Sequence, residues 1–115
     1  YLQFNSKNMK HRIGIGITTC PDENAALEIV ESLLRSNLIA CGQVEGPLKS
    51  IYRWDGRLNR ETEWKVTLKF KLSNLDDLSV NLREIHPYDV PQWVAWDAEA
   101  SEEYGKWVDD PTEKG

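Results

Sequence analysis

Ile13, Ile15 and Ile17 alternate with small residues, the two-residue period of a strand. Thr18–Asp22 is expected to end that strand, with Pro21 stiffening the turn and Asp22 placed to cap a following helix. Ala26, Ile29, Val30, Leu33 and Leu34 then recur at helical spacing and define one buried stripe, while Glu28, Glu31 and Arg35 fall on the opposite face. Asn37 is the expected stop.

A second extended region runs from Ile39 to Trp54, and Glu45-Gly46-Pro47 inside it predicts a bulge or bend. Asp55-Gly56 is the strongest hairpin signal in the chain. In the returning strand Trp64, Val66, Leu68 and Phe70 point one way, while Glu63, Lys65, Thr67 and Lys69 point the other. Ser73, with Asp76 three residues on, is the expected cap of a second helix whose stripe is Leu75, Leu78, Leu82 and Ile85. A short strand at Trp93–Trp96 and a final helix at Ser101–Trp107 precede a polar tail. The order is β-α-β-β-α-β with a trailing helix. Interleaved βαβ connections of this kind predict an α+β, ferredoxin-like split βαβ sandwich, an antiparallel sheet with two helices on one face. The other face would then be bare. Five Trp and four Tyr exceed what one helix-packed face needs, which points to a partner surface supplied by self-association.

Composition narrows the function. With 115 residues, 40% of them hydrophobic and 29% charged, the chain reads as one ordinary globular domain. Residues 1–8 lie upstream of Met9, the only methionine, and read as a processing remnant or an appended segment, leaving 9–115 as the domain. A net charge of −5 and thinly spread basic residues argue against a nucleic-acid partner. Acidic residues gather near the end, at Asp97, Glu99, Glu102, Glu103, Asp109, Asp110 and Glu113, as a solvated helix face and tail. No run approaches the ~18 apolar residues of a membrane span. Cys20 and Cys41 form no CxxC pair, and reduced thiols in a cytoplasmic setting are expected, an original targeting segment being left open.

The candidate chemistry centres on His86–Trp93, reading HPYDVPQW. Pro87 pushes His86 out of helical geometry and so ends the preceding element, while Pro91 forbids central-strand pairing at its own position. His86, Tyr88 and Asp89 are thereby presented in a restricted path. Three chemistries compete for them. Cys20 at a helix start, with His86 as base, would make a nucleophile, but nothing in the spacing brings the two together. Cys20, Cys41, His86 and Asp89 offer metal-ligand types without the i, i+4 or CxxC spacing that makes such a signal strong, so the case within one chain is weak and a site across a subunit boundary is left open. Gly14-Ile15-Gly16 lies within a strand rather than after one, which fails the test for a dinucleotide loop and suits close packing instead. Acyl-phosphate hydrolysis would need an arginine in Thr18–Pro21, and there is none.

Three ordered blocks, TTCPDE at Thr18–Glu23, LIACGQVEGPLKSIYRWDGRL at Leu38–Leu58 and HPYDVPQ at His86–Gln92, resemble the CutA family of divalent-ion tolerance proteins over about Ile13–Trp107. A likeness to the PII signalling proteins is at the level of fold alone. The family resemblance implies a very stable homotrimer and no enzymatic reaction. It further implies a link to tolerance of copper and other divalent cations without an obligatory cofactor, and animal relatives have been given a protein-anchoring role. By that resemblance His86 is the foremost metal ligand, with Cys20 a soft partner and Asp89 a third. Tyr52, Trp54, Tyr88 and Trp93 are then pocket or subunit-interface residues. Thr18 and Gln92 depart from the family's cysteine and glutamate, and Trp93 and Trp96 from its aliphatic residues. The alternative expectation is a rigid trimeric scaffold, in signalling or anchoring, without a specific metal site.

Overall fold

The computed structural model describes residues 11–112; residues 1–8, read above as a remnant, and Glu113 of the acidic tail lie outside the described residues. Four strands form one antiparallel sheet in the order β2-β3-β1-β4, with β1 at His11–Cys20, β2 at Cys41–Trp54, β3 at Arg57–Phe70 and β4 at Val94–Ala100. Helices α1 (Glu23–Arg35) and α2 (Leu75–Ile85) cover one face, which is the ferredoxin-like α+β arrangement expected from the order of elements.

The main core lies between these helices and the sheet. Ala26, Ile29, Val30 and Leu33 from α1 and Leu78 and Leu82 from α2 meet Cys20, Val66, Leu68 and Phe70. Leu34, Leu75 and Ile85 stay partly exposed at the stripe edges, so the buried stripes are narrower than the periodicity suggests. Gly14 and Gly16 leave room on β1 for two rings. A Cβ at Gly14 would stand 2.2 Å from Phe70, and one at Gly16 would stand 2.2 Å from Trp93.

Local rules set most of the boundaries. The Asp22 carboxylate accepts from the Ala25 N–H and caps α1, and Asn37 takes positive φ just past its end. Asp55 and Gly56 both have positive φ, the geometry a two-residue hairpin turn requires. The β2–β3 register shifts between Glu45 and Leu48, where the Gly46-Pro47 bulge was predicted.

Four expectations need correcting. Thr18–Cys20 does not leave the strand, because each residue pairs with β3 opposite Val66, Lys65 and Trp64. Ser73 does not cap α2. It sits in a 3-10 turn at Leu72–Asn74, and Asn74 occupies the cap position while its side-chain amide reaches the carbonyls of Asn37 and Leu38. The last strand extends to Ala100, its full length held by pairing with His11–Ile17. Finally, the second sheet face is not wholly bare. Helix α3 (Glu102–Asp109), capped by Ser101, lays Val108 and Trp107 over Ile13, Ala40, Ala100 and Ile15.

Beyond the end of β1 the β2–β3 hairpin continues alone. Residues 48–63 pair only within the hairpin and form an arm standing away from the core, which is why Ile51, Trp54 and Leu58 are exposed.

Candidate functional site

The proline loop closes over the end of β1 at the root of this arm. α2 ends at Ile85, and His86, in extended geometry, turns its ring inward under the loop. His86 Nε2 lies 3.0 Å from the Thr19 carbonyl oxygen and 2.9 Å from Thr18 Oγ1, while Nδ1 lies 3.1 Å from the Tyr88 backbone nitrogen. A carbonyl only accepts and a backbone N–H only donates. The ring is therefore the neutral Nε2–H tautomer, donating to Thr19 and accepting from Tyr88. Burial holds its pKa below the ordinary value, and the Thr19 hydrogen bond and the Glu63 charge oppose that only in part.

Tyr88, fixed by this bond, turns its side chain across to β3. Its hydroxyl donates to Glu63 Oε2 at 2.9 Å, and its ring stacks at a tilt on His86 with centroids 5.2 Å apart. Burial and the Glu63 carboxylate both raise the Tyr88 pKa, so it stays a donor throughout the ordinary pH range. Glu63 itself is only 7% exposed, although it belongs to the polar face of β3.

The proposed metal ligands stand as follows. Cys20 is fully buried, and burial, with the Asp22 and Glu63 charges, raises its thiol to about 11. Thiolate is the ligating and nucleophilic form, and this site suppresses it. Both nitrogens of His86 are used within the chain, leaving no lone pair for an ion. Asp89 is exposed on the loop rim. Among the described residues no three His, Cys, Asp or Glu side chains gather as an ion would need. The residues of one chain thus do not fit a divalent-metal centre, and no step is derived through one. Cys20 and Cys41 carry free thiols.

Of the aromatic residues expected at a pocket, Tyr52, Trp54 and Tyr88 do share one cleft, between the arm and the loop. Trp93 instead turns into its own chain, where Nε1 donates to Ser79 Oγ at 2.9 Å and the ring packs near Phe70. Glu61 and Glu63 also line the cleft and were missed from the sequence. Their alternation in β3 marks only a solvated face, and nothing in it reveals that the distant loop folds over one of them.

A four-stranded antiparallel sheet with interleaved helices, a protruding hairpin and a histidine-anchored proline loop defines a ferredoxin-like protein whose distinctive surface lies where arm and loop meet. Residues 15–111 match the family model described as CutA1 divalent ion tolerance protein, and the chain belongs to that family. The divalent-cation tolerance protein CutA of Pyrococcus horikoshii is 34% identical over 98 residues, covering 84% of this chain and 95% of that protein. A CutA homolog from Xenopus laevis is 34% identical over 93 residues, 80% of this chain but 62% of the frog protein's length. Among solved structures, CutA1 from Ehrlichia chaffeensis superposes with a TM-score of 0.84 at 30% identity, covering 90% of this chain and 98% of that one.

Proposed function

We propose that this chain serves divalent-cation tolerance, copper foremost, as a homotrimer in which metal contacts are weak and shared between subunits. The observation that carries the reading is the pattern of apolar surface left over after folding. On the part of the α3 sheet face that the helix leaves uncovered, Val94 and Trp96 remain 52% and 45% exposed, opposite Ile17 and Ile15 in the β1–β4 register. Ile51 and Leu58 expose apolar side chains on the arm as well. Large apolar surface at two places on a small chain is the mark of an assembling subunit. Relatives carry divalent-cation tolerance in their names, and the acidic surface of this chain suits a loosely held cation.

The second reading, a trimeric scaffold in signalling or anchoring without a specific metal site, is favoured by one observation: the hydrogen bonds that occupy both nitrogens of His86. Native mass spectrometry of the reduced chain during copper and then zinc titration separates the two. We expect a trimer with weak, substoichiometric copper that His86→Ala leaves unchanged. A trimer that never takes up copper supports the scaffold. About three coppers per trimer, lost in His86→Ala, would restore the His86 site. A monomer would sink both.

A further inference from the structure

The cleft between arm and loop, about 510 Å³ in volume, has a composition that specifies its ligand. Tyr52 and Trp54 of β2 supply aromatic faces, Glu61 and Glu63 of β3 supply carboxylates, and Tyr88 and Asp89 close it from the loop. Among the described residues no lysine, arginine or histidine lines it.

Glu63 is the informative member. It is 93% withdrawn from solvent by the 7% exposure noted above, yet no basic side chain forms an ion pair with it among the described residues. Its side chain accepts instead from the neutral Tyr88 hydroxyl. The nearest lysine along the strand, Lys65, pairs with Glu45 instead. A buried carboxylate is costly unless a counter-charge compensates it, and here the open side of the group faces the cleft. A cationic ligand seated in the cleft would supply that compensating charge.

A bare metal ion does not answer the description. It needs several ligating atoms converging on one point, which the described residues do not provide. A cation with its charge spread over a hydrocarbon envelope does. It takes the field of several carboxylates without coordinating any, and it gains further from the quadrupoles of tryptophan and tyrosine faces.

We infer that this cleft binds a small organic cation, an alkylammonium group held opposite Glu63, with its methyl or methylene groups against Tyr52 and Trp54. All the binding groups named come from one chain, so the inference needs no residue of a second copy and no metal ion.

The test is calorimetric titration of the full chain with choline and, separately, with its neutral isostere 3,3-dimethylbutan-1-ol. Choline should saturate at one per chain, and the isostere should bind at least about tenfold more weakly, since the two differ in charge and not in shape. Glu63→Gln and Trp54→Ala should each weaken choline by about tenfold. Trp54 is 60% exposed, so its variant keeps the fold if Glu63→Gln does not. Equal affinity for the two probes would reduce the cleft to an apolar groove and overturn the inference. So would choline binding unchanged in both variants, or failure to saturate at millimolar choline, as when a neighbouring copy fills the cleft. One-for-one displacement of choline by copper or zinc would give the site to a metal.

Discussion

His86 is joined to Thr19 by a hydrogen bond of 3.0 Å from its Nε2–H to the backbone carbonyl, tying the loop after α2 to the end of β1. Because Nδ1 accepts the Tyr88 N–H at the same time, one neutral ring holds both the strand and the loop that it connects. The residue that looks most like a ligand in the sequence is a structural clamp.

That clamp sets a pH dependence. The folded-state pKa of His86 lies below its ordinary 6.5 because burial disfavours the imidazolium. The unfolded chain therefore takes up the proton first. Stability is complete above about pH 6.5 and falls as pH drops toward the lower folded value. Urea denaturation at steps from pH 8 to 5.5 should show this decline, and His86→Gln should flatten it while costing about 1–3 kcal/mol at pH 8 through lost buried hydrogen bonds. A decline of equal size in the variant would place the titrating group elsewhere.

Tyr88→Phe removes the single hydroxyl donated to Glu63. We expect a loss of about 1–3 kcal/mol at neutral pH, because the carboxylate stays buried without its donor. A double-mutant cycle with Glu63→Leu checks the cause: the hydroxyl should matter much less once the carboxylate is gone. Additive effects would mean that the tyrosine acts by packing alone.

The two thiols should react in a fixed order. Cys41 is half-buried, whereas Cys20 is fully buried with its thiol raised to about 11. Alkylation with iodoacetamide near pH 8, followed by peptide mass spectrometry, should modify Cys41 first and Cys20 only on unfolding. Labelling of native Cys20 at the rate of a free thiol would revive the nucleophile that its burial argues against.

Gly16→Ala would set a Cβ 2.2 Å from the Trp93 ring, which is itself held by Ser79. Overpacking of this kind should cost about 1–3 kcal/mol, visible as a lower urea midpoint at unchanged slope. If stability is unaffected, the indole moves freely and is not the wedge described here.

Trp96→Glu tests the assembly. The side chain is 45% exposed on the open sheet face, so the fold of the subunit should survive while a charge opposes burial against a second copy. Sedimentation should show smaller species with unchanged far-ultraviolet circular dichroism. An oligomer that persists would move the interface to the arm.

The elements themselves were legible because local chemistry settles them. Alternation at Trp64–Phe70, the Asp22 cap, positive φ at Asp55-Gly56 and the helical stripes of Ala26–Leu33 and Leu78–Leu82 each follow from rules acting over a few residues. The errors fall where a long-range partner overrules the local signal. Thr18–Cys20 reads as a turn but stays in the strand because β3 offers a full ladder, and Ser73 yields its cap to Asn74, whose side chain is engaged with Asn37 and Leu38.

The site divides in the same way. Sequence alone determined that His86 would leave the helix, that the two prolines would stiffen the loop, and that the chain has the order of a ferredoxin-like sheet, since these depend on backbone sterics and periodicity. Only the tertiary structure decided what the polar groups do. Enclosure in the helix–sheet core withdrew the Cys20 thiol from water, and packing the loop over the end of β1 and the middle of β3 consumed both nitrogens of His86. It also buried Glu63, a residue that alternation assigns to solvent. Desolvation and hydrogen-bond partners come from segments more than twenty residues apart, as with Glu63 and Tyr88, and no local pattern encodes which of them will meet.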